Sequence, residues 1–164
     1  MLKILYSKKK TNNNPQFFQK MWKMEVIGSK NMELKEKSCG CIIIEDNKVL
    51  LIKQTRGNWG FPKGHEEENE TEQETAIREV KEETNLDVKI IGNSAYKEEY
   101  YTDKGKLKEV VYFIAKKVGG EIKPQEMEVS QIEWFSFSDA IEKITYEDTK
   151  GLFKRVLKDE NLDI

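Results

Sequence analysis

Two hydrophobic rhythms divide the chain from about residue 37 onward. Ser38–Glu45 and Lys48–Gln54 are dense in Ile, Val, Leu and Cys, and the intervening Asp46-Asn47 reads as the tight turn of a β-hairpin. Gly57–Gly64, rich in Gly and carrying Pro62, reads as a loop. Over Thr71–Asn85 the period changes to that of a helix, with Ala76, Ile77, Val80 and Thr84 forming a stripe that can face a core. Thr71 followed by Glu74 has the spacing of a capping box, and Asn85 stands where a left-handed residue can end the helix. Val88–Ile91 is predicted as a short strand. Ala95–Tyr101 and Leu107–Val118 are predicted to pair around Asp103-Lys104-Gly105-Lys106, and Gly119-Gly120 to turn. Gln131–Phe137 is a further strand, and Ser138 starts a short helix. Thr145 and Asp148 start a last one, with Leu152, Phe153, Val156 and Leu157 as its apolar stripe. Many strands and few helices predict an α+β layered fold.

Length and composition agree with one catalytic-sized domain. The chain has 164 residues, of which 35% are charged, and its mean hydropathy is −0.74. No apolar run reaches the roughly 20 residues of a membrane span. Met1–Tyr6 is too short for a signal-peptide core. Cys39 and Cys41 are the only cysteines and His65 the only histidine, so a zinc site is not expected. A reduced, cytoplasmic protein is the simplest expectation. Charge is uneven: residues 1–31 carry +6 and the remainder −8. Residues 1–31 therefore read as a basic extension, with Phe17, Phe18, Met21 and Trp22 as its apolar residues, and 32–164 as the catalytic domain.

The chemistry concentrates in the helix. Glu79, Glu82 and Glu83 are spaced i, i+3 and i+4, so three carboxylates share one face. Such a face repels itself until a divalent cation relieves it, and hard cations such as Mg2+ prefer carboxylate oxygen. Arg78 stands beside Glu79, four residues from both Glu74 and Glu82, and is placed to hold a carboxylate in one orientation.

Gly64, Glu70, Arg78, Glu79, Val80, Glu82, Glu83 and Leu86 fall at the spacing of the Nudix box, and the segment resembles the Nudix hydrolases. It departs at Asn85, where the family has Gly. The resemblance implies an α/β/α sandwich around a mixed sheet over roughly residues 35–160. It implies Mg2+, with Mn2+ as the alternative, held by Glu79, Glu82 and Glu83. Trp59-Gly60-Phe61-Pro62-Lys63-Gly64-His65 resembles the W-x-x-P-K-G-H segment of the dinucleoside polyphosphate hydrolases. By that likeness Lys63 offers its carbonyl to the metal and its ammonium to phosphate, and Trp59 packs on the core or on a base. Tyr100 and Tyr101 stand near the place where the diadenosine-polyphosphate branch has a Tyr. Tyr96, Tyr101 and Tyr112 are candidate stacking rings. Counting back from Trp134, Glu128 matches the family's additional glutamate, a metal ligand or base, with Glu126 its rival.

The expected function is a metal-dependent pyrophosphohydrolase, first for diadenosine tetraphosphate, giving ATP and AMP. The same-class alternative is a nucleoside triphosphate (8-oxo-dGTP type) or RNA 5′-end pyrophosphohydrolase. The different-class alternative is a catalytically silent nucleotide-binding module. The expected partner is a nucleotide, with no membrane, RNA not favoured, and a monomer or homodimer.

Overall fold

Asp46 and Asn47 both adopt positive φ, 49° and 57°, the backbone of a tight hairpin turn matched to strand twist. They join β1 (Glu36–Glu45) to β2 (Lys48–Gln54) in the computed structural model, which describes residues 36–163. The basic segment 1–31 and its apolar residues lie outside the described residues.

The two strands pair only beside the turn, Ile44 with Val49 and Glu45 with Lys48, and then part. The rest of β1 runs parallel to β6 (Leu107–Gly119) and antiparallel to the short β4 (Lys63–His65). β2 goes on to pair with β3 (Trp59–Gly60) and β7 (Val129–Ser136). β5 (Asp87–Tyr101) closes the far edge against β6. The result is a seven-stranded mixed sheet.

Strand alternation sends side chains to two separate cores. Cys39, Cys41 and Ile43 of β1, with Val111, Phe113 and Ala115 of β6, meet Ala76 and Val80 of helix α1 (Glu72–Thr84). Ile42, Val110, Tyr112 and Ile114 leave the other face. They pack with α2 (Phe137–Lys143) and α3 (Glu147–Asp159), where Leu152, Phe153, Val156 and Leu157 form the expected stripe. Each fully buried aliphatic side chain contributes about 1.5–3 kcal/mol. This is the α/β/α layering, with α1 alone on one side.

The structure departs from the sequence reading in five places. Val88–Ile91 and Ala95–Tyr101 are one strand, β5, whose register with β6 shifts between Ile90 and Ala95. Gly92, at φ 70°, absorbs the irregularity as a bulge where a break was expected. The 57–64 loop contains β3 and β4, on either side of Pro62, which has no N–H to donate. Phe137 opens α2 and does not end β7, because Ser136, not Ser138, caps that helix through the Asp139 N–H at 3.2 Å. Thr145 does not cap α3: its hydroxyl accepts the Trp59 N–H at 2.8 Å, and the helix begins after Tyr146 without a side-chain cap. Ile77 falls off the buried stripe of α1 and is 38% exposed, while Thr75, Glu79 and Glu83 lie on it.

Candidate active site

Helix α1 is fixed at both ends before its charges are placed. Thr71 accepts the Glu74 N–H at 3.2 Å and donates its own N–H to the Glu74 carboxylate at 2.8 Å, the reciprocal capping box. Asn85 takes the left-handed conformation, φ 62°, and its N–H reaches the Lys81 carbonyl at 2.9 Å. Between these ends Glu79 and Glu83 are buried toward the sheet and Glu82 is exposed.

Arg78 is the centre of the acidic array. It donates to both Glu70 oxygens at 2.6 and 2.9 Å, to Glu79 at 2.8 Å, to Glu82 at 3.3 Å and to the His65 carbonyl at 2.9 Å. Glu74, an expected neighbour by helical spacing, is instead engaged with the cap at Thr71. Gly64 leaves room for this arrangement, since a Cβ there would collide with the Glu79 carboxylate. The Lys63 N–H donates to Glu83 Oε2 at 2.9 Å, tying β4 to the helix.

Burial and mutual repulsion set the protonation of the array. Burial raises Glu79, Arg78 lowers it, and Glu82 and Glu128 add repulsion. Burial pushes Glu83 up to about 8, with the Lys63 amide opposing and Glu79 and Glu128 reinforcing. Glu70, bonded first by Arg78 and then by Thr75, is held down at about 2.

Glu79 and Glu83 line a cleft of about 560 Å³ with mixed walls. Glu79, Glu82, Glu83 and Glu128 supply acid, and Lys63, Lys108 and Arg56 supply base. Glu128 reaches the cleft from the loop before β7. Its N–H bonds the Gln125 carbonyl at 3.0 Å, and its carbonyl accepts the Thr55 N–H at 2.9 Å. Its rival Glu126 is exposed and does not line the cleft.

The donor set suits a hard divalent cation. Two buried carboxylates with raised pKa values, an exposed third and a facing fourth are oxygen donors whose repulsion a cation would relieve. Among the described residues, no three His, Cys, Asp or Glu side chains are already gathered as a metal-ready group. Arg78 holds Glu79 and Glu82, and the Lys63 amide holds Glu83, so each carboxylate turns to its own partner.

The aromatic candidates separate. Tyr112 is 1% exposed, packs edge-on against Phe61 with centroids 5.5 Å apart, and points its hydroxyl at Glu98, 3.4 Å away. Its ring is core and cannot offer a stacking face. Tyr96 is likewise buried. Trp59 packs edge-on against Phe135 with centroids 5.4 Å apart, beneath the Lys143 ammonium, and is a core residue. Tyr101 is 58% exposed, on the sheet face opposite Tyr100.

Four residues were not singled out by the sequence pattern. Lys108 pairs by register with Glu36 and Tyr100, which brings it to the cleft. Arg56 joins it from the β2–β3 loop. Glu98 lies half-buried under Tyr112 and Thr149. Tyr146 is exposed, and its hydroxyl accepts from Asn58 Nδ2 at 2.7 Å. The mixed-charge run Lys106-Leu107-Lys108-Glu109 reads as a solvated hairpin flank, and only register reveals which lysine faces the cleft.

The chain is 32% identical over 112 residues to an 8-oxo-(d)GTP phosphatase of Mycolicibacterium smegmatis, covering 68% of this chain and 34% of that protein. It is 28% identical over 135 residues to the asymmetrical bis(5'-nucleosyl)-tetraphosphatase of Rattus norvegicus, covering 70% of this chain and 88% of that protein. A crystal structure of a C. elegans Ap4A hydrolase binary complex matches with a TM-score of 0.69 at 26% identity, over 77% of this chain and 98% of that one. The chain spans 34–60% of the length of the first curated relatives it matches. No helix among the described residues is long and apolar enough to cross a membrane. The NUDIX domain family model matches residues 34–156, a span that contains the Gly64–Leu86 box and both walls of the cleft, and the chain belongs to the Nudix family.

Proposed function

We propose that this chain is a divalent-cation-dependent pyrophosphohydrolase whose first substrate is diadenosine tetraphosphate, cleaved to ATP and AMP. The observation that carries the reading is one cleft lined both by Glu79, Glu82 and Glu83 of α1 and by Lys63 and Lys108. A chain of phosphates needs both: acids that recruit a counter-cation, and fixed positive charges that grip the remaining oxygens.

Glu79, Glu82 and Glu83 would hold Mg2+, with Glu128 and the Lys63 carbonyl as further donors. Bound there, the ion would offset phosphate charge and lower the pKa of a water. Arg78 keeps Glu79 oriented through the 2.8 Å bond. Glu79 or Glu128 takes the proton from an attacking water. The water oxygen bonds to phosphorus, the bridging P–O bond breaks, and the bridging oxygen leaves on the other nucleotide. Lys63 and Lys108 hold phosphate oxygens during this exchange. Tyr101 and Tyr146, both largely exposed, offer ring faces for an adenine.

Similarity to the rat tetraphosphatase and the C. elegans Ap4A hydrolase supports the dinucleotide. Similarity to the mycobacterial 8-oxo-(d)GTP phosphatase supports a second reading, an oxidised nucleoside triphosphate. The intact carboxylate set argues for chemistry over silent binding.

Incubation with Mg2+ and a panel of diadenosine tetraphosphate, 8-oxo-dGTP, ADP-ribose and triphosphorylated RNA tests the assignment. Diadenosine tetraphosphate is expected to turn over fastest. Fast cleavage of 8-oxo-dGTP with an inert tetraphosphate would select the second reading. No hydrolysis of any of them would remove both.

A further inference from the structure

A helix leaves its last carbonyls without partners of its own, and at the end of α1 a separate stretch of chain takes two of them. The Lys123 N–H donates to the Thr84 carbonyl at 3.0 Å, and the Gln125 N–H to the Glu83 carbonyl at 3.3 Å. The same stretch reaches Asn85, whose Nδ2 donates to the Glu121 carbonyl at 2.9 Å. Gly120, at φ 79°, allows the approach, since a Cβ there would collide with the Asn85 carbonyl. Residues 120–125 are therefore seated on the helix end by two main-chain hydrogen bonds and one from a side chain.

This seat leads to Glu128. The Gln125 carbonyl accepts the Glu128 N–H at 3.0 Å and the Val129 N–H at 2.8 Å. Glu83 and Glu128, both lining the cleft, are thus joined through the main chain of one residue. Thr55, just past β2, holds the loop from its other side through the Glu128 and Met127 carbonyls. Asn85 is also the position at which the box departs from its family. At φ 62° its backbone suits Gly, or less readily Asn or Asp. Of these three only Asn also offers a side-chain N–H to the Glu121 carbonyl. The asparagine therefore adds a bond that the helix end by itself does not require.

We infer that Asn85 is a positioning residue that clamps the 121–125 stretch to the end of α1 and so sets where Glu128 stands relative to Glu83. The inference rests on the reading of Glu128 as a cation donor or base. Asn85 itself does not line the cleft. Without its amide the two main-chain bonds stand alone, and the stretch is expected to open more often while α1 keeps its cap. Glu128 then spends less time facing the helix carboxylates.

The test compares the full chain as wild type, Asn85→Gly, Asn85→Asp, Glu128→Gln, and Asn85→Gly combined with Glu128→Gln. Both Asn85 variants tolerate the left-handed backbone and remove the donor. Amide hydrogen exchange without metal reads the clamp directly. In either variant Lys123 and Gln125 are expected to exchange about tenfold faster, with the interior of α1 unchanged. Kinetics use Mg2+ and the nucleotide of the panel that is cleaved fastest. There Asn85→Gly is expected to lower kcat by about fivefold with KM nearly unchanged, and to add nothing in the Glu128→Gln background. Asn85→Asp carries the same comparison should Asn85→Gly fail to fold. Unchanged exchange at Lys123 and Gln125, or faster exchange throughout α1, would overturn the inference, the latter because it marks a helix cap and no more. Equal losses of kcat with and without Glu128, or an unchanged kcat in Asn85→Gly where Glu128→Gln lowers it, would overturn it too. A clamp that loosens as expected in a chain whose kcat ignores Glu128→Gln would instead remove Glu128 from the chemistry and leave Asn85 as the residue that seats its loop.

Discussion

The helical wall of the cleft draws Glu79, Glu82 and Glu83 from five consecutive residues, whereas the strand wall draws Lys63 and Lys108 from two different strands. On the helix, the 3.6-residue period alone puts the carboxylates together. On the strands, no local period does so: Lys63 and Lys108 meet only because β1 takes β4 on one side and β6 on the other. The acid wall is therefore a property of a segment, and the basic wall a property of the topology. Damage to the first is expected to strike chemistry, and damage to the second to strike affinity.

The largest effect should come from the acid wall. Glu83→Gln or Glu82→Gln is expected to lower kcat by about 10²-fold or more, as for loss of a positioned catalytic group. Near wild-type turnover in either at saturating Mg2+ would remove the helix from the chemistry. Gly64→Ala tests the same wall indirectly. Its Cβ must displace the Glu79 carboxylate, and kcat is expected to drop by roughly tenfold or more with little change in KM. On the strand wall, Lys108→Met should raise KM by about tenfold and leave kcat nearly intact, since one phosphate contact is lost and no reacting group. A fall in kcat of the same size would mean that the two walls do not divide the work in this way.

A gentler distinction concerns pH. Glu70 is held at about 2 by Arg78 and Thr75, below its ordinary carboxylate value. A depressed folded pKa means stability that is present above the unfolded value, about 4.3, and lost as pH falls through 2. Wild type should therefore lose more thermal stability than Glu70→Gln between pH 5 and pH 2. A gap between their melting temperatures that does not change with pH would show that the Glu70 charge contributes nothing. The smallest effect is expected from removing residues 1–31. A chain starting at Met32 retains the complete box, and turnover on small nucleotides should be nearly unchanged in steady-state kinetics.

How far the sequence could be read follows the same division. The Thr71–Glu74 box, the left-handed Asn85 and the carboxylate face were legible because each depends on residues within one helix. Arg78 bonds carboxylates, but its strongest partner is Glu70, not Glu74, because Glu70 lies ahead of the cap where helical spacing gives no guidance. Tyr112 was a candidate ring because alternation along a strand leaves its phase undetermined. Pairing with Gly40 and Tyr96 sends it to the core. Glu98 and Lys108 were not singled out, because a charged residue inside a predicted strand carries no local sign of the neighbours it will meet. Both acquire meaning only from cross-strand neighbours that lie far away in the chain.

Hydrolysis of diadenosine tetraphosphate in ¹⁸O-labelled water, with and without Mg2+ and followed by mass analysis of the products, tests the central claim most directly. Mg2+-dependent release of ATP and AMP is expected, with one labelled oxygen on a single product and the reaction abolished in Glu83→Gln. No cleavage with either Mg2+ or Mn2+, or cleavage equally fast in Glu83→Gln, would contradict it.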